Sequence, residues 1–156
     1  MTTLQPGDIL LVHGNSPLDA AIRWATTSPY NHAAIVATDS ASVIEAQAPV
    51  TDCVPATLYA ARADVWRLVI PWKASRIAAA LAEGYVGKPY GYWEALASGL
   101  WDVAHLPVMW RLRGKDCSGL VATCYGRAGQ LLTRKPFPAP GDLAWSAVIE
   151  KVGPWT

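Results

Sequence analysis

The sequence predicts a single α+β domain, residues 1–156, in which an antiparallel sheet packs against helices gathered on one face. Three observations indicate this class. Short apolar runs bounded by turn residues follow one another in the first 70 residues, which is typical of strands joined by short turns. Helical periodicity appears in the second half, over 74–85 and 118–127. A chain of 156 residues with 52% hydrophobic and 16% charged residues suits one compact core.

The first half of the chain is predicted to form strands interrupted by one helix. The strands follow turn signals, the first of them a Pro-Gly-Asp turn at 6–8. They are predicted at 9–13, 32–38, 43–46 and 65–70. A helix is predicted over 18–27, where apolar residues recur at helical spacing before Ser28-Pro29. Residues 47–63 contain two prolines and little periodicity, and this segment is predicted to be a loop.

The second half is predicted to hold the helices. Gly87 and Gly129 follow the ends of the two periodic segments, as expected for helix C-termini. The Trp-rich segment 91–113 is ambiguous and is interpreted as one helix broken at Pro107. Residues 136–140 are predicted to be a rigid linker, and 143–152 a last strand, or a strand and a turn. The tripeptide PGD occurs at 6–8 and again at 140–142, and each copy is predicted to enter a strand.

Composition argues against several classes of function. A formal net charge of +1 gives no general attraction to nucleic acid. Three cysteines without a CxxC pair, and three histidines without an HxxxH pair, predict neither a disulfide framework nor a metal site. The N-terminus lacks the basic and small-residue features of a signal peptide, and the longest weakly charged stretch is too short to span a bilayer. We therefore expect a cytoplasmic protein, or one exported without a recognisable signal peptide.

The strongest candidate for chemistry is Cys117, in the string DCSGLV at 116–121. Leu120, Val121 and Cys124 lie three, four and seven residues further on, so the thiol shares their core-facing stripe at the first turn of the helix. Unpaired N–H groups give a helix N-terminus partial positive charge, which favours a thiolate and can bind an oxyanion. Cys117 is therefore predicted to be a nucleophile. The alternative is a buried structural cysteine.

His32 and Glu45 are predicted to lie together on neighbouring strands. If Thr38-Asp39 forms a two-residue hairpin loop, His32 and Glu45 face each other directly, with Cβ atoms about 5 Å apart. A carboxylate beside an imidazole fixes its orientation and favours the imidazolium. The pair therefore supplies the base and the orienting group that a cysteine nucleophile requires. The alternative is a surface histidine and a strand-edge glutamate.

The motifs resemble those of the NlpC-type cysteine peptidases, a papain-like superfamily that includes bacterial cell-wall endopeptidases. The matching strings are PGDIL at 6–10, NHAAIV at 31–36, GKPY at 87–90 and DCSGLV at 116–121. In those proteins the Cys-bearing helix comes first, whereas here it follows the strands, so the order is circularly permuted. The permuted YiiX-like branch is most similar, with His, Glu and Cys in this order along the chain.

The resemblance implies a permuted papain-like fold and assigns a role to each matching residue. Cys117 is implied to be the nucleophile, His32 the base and Glu45 the third polar residue, which orients the imidazole. Tyr90 is implied to line the site near the oxyanion. Two further residues are implied to hold the amino end of a substrate peptide: Asp116 and Ser118. The chain departs from the family in lacking Gly-Gly after the Tyr motif and in its long, Trp-rich stretch before Cys117.

The predicted function is a cysteine peptidase or amidase. It would hydrolyse an amide or peptide bond, including those of cell-wall peptides, through an acyl-enzyme and without a metal or cofactor. One alternative is a lipid acyltransferase or thioesterase of the permuted lecithin:retinol acyltransferase-like type, which the apolar segment 93–110 favours. The other is a binding module that retains the pocket but does not catalyse a reaction.

Overall fold

The computed structural model describes residues 2–14, 27–70, 72–90 and 116–156. Within these ranges, six strands form one antiparallel sheet in the order β4-β3-β2-β1-β5-β6. The strands are β1 (Ile9–Val12), β2 (His32–Val36), β3 (Ser42–Gln47), β4 (Val50–Pro55), β5 (Ala63–Leu68) and β6 (Ile149–Pro154). The predicted α+β class with an antiparallel sheet is therefore confirmed.

The described residues contain three α-helices and one 3-10 helix. They are α1 (Trp72–Glu83), α2 (Cys117–Arg127), α3 (Pro140–Ala144) and the 3-10 helix Ala56–Tyr59. The first two match the predicted helices to within two residues at each end. The predicted helix over 18–27 and the Trp-rich segment 91–113 lie outside the described residues, apart from residue 27.

The sheet buries apolar side chains on both faces. Along β1 all four residues are buried, so alternate side chains enter two separate clusters. Ile9 and Leu11 pack with residues of α1 and α2, whereas Leu10 and Val12 pack with Tyr59 on the opposite face. Burial of an aliphatic side chain contributes roughly 1.5–3 kcal/mol. The centre of the sheet is thus packed on both faces and supports the side chains at the ends of its strands.

The predicted register of the β2–β3 hairpin is wrong by two residues. Ile35 pairs with Ile44 and Val36 with Val43, which puts Glu45 opposite Ala34 rather than opposite His32. The loop is longer than two residues because the Asp39 carboxylate accepts hydrogen bonds from the N–H groups of residues 41 and 42. Side chains alternate with a period of two, so a shift of two residues keeps Glu45 on the same face as His32.

Two other predicted elements are wrong. The predicted loop 47–63 contains β4, which pairs along its whole length with β3, and the 3-10 helix. The second PGD copy begins α3 rather than a strand, because Pro140 occupies the first helical position and the Asp142 carboxylate accepts from the Ala139 N–H at 2.8 Å. The last strand accordingly starts at Ile149, later than the predicted 143.

Candidate active site

Cys117 is the first residue of α2 and is 9% exposed. Asp116 caps the helix: its backbone is extended and its carboxylate accepts a hydrogen bond from the Gly119 N–H at 2.6 Å. Leu120 and Val121 are completely buried and fix the helix on the core. The sequence thus folds locally so that the thiol lies at the positive end of an anchored helix.

His32, the first residue of β2, joins this thiol to a carboxylate. Its Nε2 lies 2.7 Å from Oε2 of Glu45. The imidazole also interacts with Cys117, by charge and hydrogen bonding. Burial lowers the pKa of His32, but the electrostatic and hydrogen-bond interactions with Cys117 and Glu45 outweigh it and raise that pKa to about 10. The imidazole is therefore held in its charged form at neutral pH.

Glu45 reaches His32 diagonally across the hairpin, from its position opposite Ala34. The residue is 5% exposed. Burial raises the pKa of a carboxyl group, but the hydrogen bond and the charge of His32, with a further hydrogen bond from Tyr59, hold the pKa of Glu45 below its usual value. Glu45 is thus a buried carboxylate whose charge is compensated by His32.

Tyr59 is a member of this cluster that the sequence did not predict. Its hydroxyl donates to Oε2 of Glu45, the same oxygen that His32 contacts. Its ring is tilted by 33° to the His32 ring, with centroids 6.0 Å apart. Burial, followed by the hydrogen bond and charge of Glu45, raises the pKa of Tyr59. Tyr59 lies in the segment predicted to be a loop, where no periodic pattern marked it.

The structure gives Asp116 and Ser118 hydrogen bonds within the chain. Asp116 is the helix cap described above, and Ser118, which is 1% exposed, donates from Oγ to the Pro138 carbonyl at 2.5 Å. Tyr90 follows α1 and is half-buried against the main core, and its N–H donates to the Pro49 carbonyl at 2.9 Å. The substrate-binding roles implied for these three residues stay predictions.

A second histidine–carboxylate cluster lies at the same end of the sheet. Nε2 of His13 is 2.9 Å from Oδ2 of Asp64, and the Tyr30 hydroxyl donates to that oxygen at 2.8 Å. Nζ of Lys151 also lies 2.8 Å from it. The His13 and Lys151 side chains are 40% and 47% exposed. Asp64 therefore has a lysine partner in addition to its histidine and tyrosine.

We compared the chain with known proteins. No protein-family model and no curated protein sequence matches it. Its structure is similar to the crystal structure of the metalloprotein YiiX from Escherichia coli O157:H7, with a TM-score of 0.73 and 20% sequence identity over 99% of this chain and 100% of YiiX. A likeness at this identity establishes a shared fold. None of the helices in the described ranges has the length and apolar character needed to cross a bilayer.

Proposed function

We propose that the chain is a cysteine hydrolase with a circularly permuted papain-like fold, acting on an amide or peptide bond. The single observation that carries the proposal is that His32 interacts both with Cys117 and with the Glu45 carboxylate. A thiol, an imidazole and a carboxylate in this order are the groups that nucleophilic acyl transfer requires. The YiiX-like fold and the DCSGLV string support the same interpretation.

The proposed first half-reaction forms a thioester. In the proposed resting state Nδ1 of His32 already carries the proton of Cys117, as the raised pKa of His32 favours, and the Cys117 sulfur attacks the substrate carbonyl carbon to form a C–S bond. The N–H groups at the start of α2 hydrogen-bond the oxyanion of the tetrahedral intermediate. The C–N bond then breaks, and His32 returns its proton to the leaving amine.

The second half-reaction hydrolyses the thioester. His32 removes a proton from water, the resulting hydroxide attacks the acyl carbon, and the C–S bond breaks to regenerate Cys117. Glu45 keeps its negative charge throughout and stabilises the imidazolium form of His32. A peptide or amide, including cell-wall peptides, is the proposed substrate class.

The proposed steps use only the chain's own groups. YiiX is described as a metalloprotein. In the parts of this chain that the structure describes, no three His, Cys, Asp or Glu side chains are grouped so that they could hold a metal ion. The described residues therefore do not fit such a centre, and we derive no step through a metal.

Alkylation with iodoacetamide tests the proposed nucleophile. Cys53 is exposed and provides an internal control within the same chain. We expect Cys117 to be modified faster than Cys53 well below about pH 8, because a cysteine reacts as its thiolate. The His32→Ala variant should lose this preference. Equal reactivity of Cys117 and Cys53 at every pH would contradict the proposal.

Mass spectrometry of the acyl adduct on Cys117 distinguishes the substrate classes. An adduct after incubation with a cell-wall peptide, and none with phospholipid vesicles, is expected for the proposed peptidase. An adduct with phospholipid alone would replace this proposal with the lipid acyltransferase, whose sequence basis, 93–110, lies outside the described residues. No adduct with either substrate would favour the binding module.

A further inference from the structure

One oxygen of the Glu45 carboxylate, Oε2, is hydrogen-bonded to two different side chains. Nε2 of His32 and the hydroxyl of Tyr59 both contact Oε2. Glu45 is 5% exposed, and in the low-dielectric surroundings of a buried group each of these hydrogen bonds is stronger than it would be in water. The position of Glu45 relative to His32 is therefore set by both donors together.

Tyr59 is itself held firmly. It ends the 3-10 helix Ala56–Tyr59, is 8% exposed and packs with the second core cluster. Two hydrogen bonds hold the first residue of this helix: the Ala56 N–H donates to the Ala41 carbonyl, and Nε1 of Trp155 donates to the Ala56 carbonyl, both at 2.9 Å. The phenol ring thus reaches Glu45 from a backbone that is tied both to the turn of the β2–β3 hairpin and to Trp155.

We propose that Tyr59 is a positioning residue of the active site, an inference that rests on the proposed hydrolase function. Its hydroxyl holds Oε2 of Glu45 against Nε2 of His32, and its ring limits the tilt of the imidazole. With Nε2 fixed in this way, Nδ1 stays directed at the Cys117 thiol. Tyr59 acts on the reaction through Glu45 and His32.

The chain provides a matched control for Tyr59. Tyr30 also donates a buried hydroxyl to a carboxylate oxygen that a histidine contacts, that of Asp64. The variants Tyr59→Phe and Tyr30→Phe each remove one hydroxyl and keep the ring. Both are expected to reduce stability by a similar amount, so a loss of stability does not distinguish a positioning role from a structural one.

Steady-state kinetics give the first distinguishing measurement. We expect Tyr59→Phe to lower kcat about tenfold with KM unchanged, because a hydrogen bond to a charged group contributes about that factor. Tyr30→Phe should leave kcat within about twofold. In a Glu45→Gln background, Tyr59→Phe should have no further effect, since the group that it positions is already altered. Equal kinetic losses in the two single variants would overturn the proposal.

Titration of the Glu45 side-chain carboxyl by carbon-13 NMR gives the second measurement and requires no turnover. Loss of a donor to the charged form raises a carboxyl pKa, so the midpoint of Glu45 should move to higher pH in Tyr59→Phe and stay unchanged in Tyr30→Phe. An unmoved midpoint in Tyr59→Phe would overturn the role of Tyr59. If the wild type proves inactive on all substrates while the midpoint moves, the hydrolase function fails and the Tyr59–Glu45–His32 coupling stands.

Discussion

Two clusters at one end of the sheet use the same three kinds of side chain and differ in their surroundings. In one, His32 and Tyr59 contact a single oxygen of Glu45, and in the other His13 and Tyr30 contact a single oxygen of Asp64. The first cluster adjoins a cysteine at a helix N-terminus. The second adjoins Lys151 and solvent. The same three kinds of side chain thus lie in two different surroundings, and under the proposed function only the cluster beside Cys117 is the reactive site.

In the second cluster the Asp64 carboxylate is shared between His13 and Lys151. Nζ of Lys151 lies 2.8 Å from Oδ2 of Asp64, so a permanent cation compensates this carboxylate. Burial raises the pKa of Asp64, but the donors around it, led by Lys151, hold it below its usual value. Among the described residues no lysine or arginine forms a salt bridge with Glu45, whose charge acts on His32. In the Glu45 cluster the carboxylate charge therefore acts mainly on a histidine that also interacts with Cys117.

The largest expected difference between the clusters is in activity. His32→Ala should lower hydrolysis by about 10²–10⁴-fold, the usual contribution of a general acid–base. His13→Ala removes the corresponding residue of the second cluster and should leave activity within about twofold. Turnover of the peptide substrate that acylates Cys117 measures both. A comparable loss in His13→Ala would mean that the second cluster also takes part in the reaction.

A second difference concerns the protonation of His32. Its pKa is raised from 6.5 to about 10, so the imidazole should stay charged as the pH rises through 7 and 8. Cys117→Ser removes the interaction with the cysteine that helps to raise the His32 pKa, and the His32 midpoint should then fall because burial is less opposed. Proton NMR of the His32 ring measures the midpoint, with Cys53→Ser as the control. The same midpoint in Cys117→Ser and the wild type would contradict the contribution of Cys117 to the raised His32 pKa.

The smallest expected effects are on acid stability. The folded protein lowers the pKa of Glu45 below its usual 4.5 and that of Asp64 below its usual 3.8. Each carboxylate therefore stabilises the fold fully when the pH is above its usual pKa. This stabilisation is lost as the pH falls through the lower pKa of the folded state. The difference in unfolding free energy between the wild type and Glu45→Gln, about 1–3 kcal/mol at pH 6, should shrink towards pH 3. For Asp64→Asn the difference in unfolding free energy from the wild type should shrink over a lower pH range than for Glu45→Gln. Urea unfolding across this range measures both, and pH-independent differences would contradict the pKa directions.

The sequence predicted the elements of the site better than their geometry. Strand alternation correctly put His32 and Glu45 on one face, because a period of two depends only on local backbone. The predicted register of β2 and β3 was wrong because the length of the turn between them depends on hydrogen bonds of the Asp39 side chain. The spacing of residues along the sequence does not reveal these hydrogen bonds. Tyr59 was missed because its partner, Glu45, lies on another element.

The two PGD copies show the same limit. Gly7 has a φ of +85° and precedes β1, with Asp8 paired to Arg67 at 2.6 Å. Gly141 lies inside α3, where Asp142 accepts from the N-terminal backbone. The same tripeptide therefore precedes a strand in one copy and begins a helix in the other. The two aspartates have different partners, and those partners are positioned by the rest of the fold.

Residues near the two ends of α2 form hydrogen bonds with distant parts of the chain. Ser118 bonds the Pro138 carbonyl, and the Tyr125 hydroxyl bonds the carbonyl of Gly7. During synthesis on the ribosome the N-terminal part of the chain emerges first, so the hairpin with His32 and Glu45 can form before the helix that carries Cys117 exists. A nascent chain at that stage can hold His32 and Glu45 together without Cys117, and α2 is anchored at both ends only after residue 138 has left the exit tunnel.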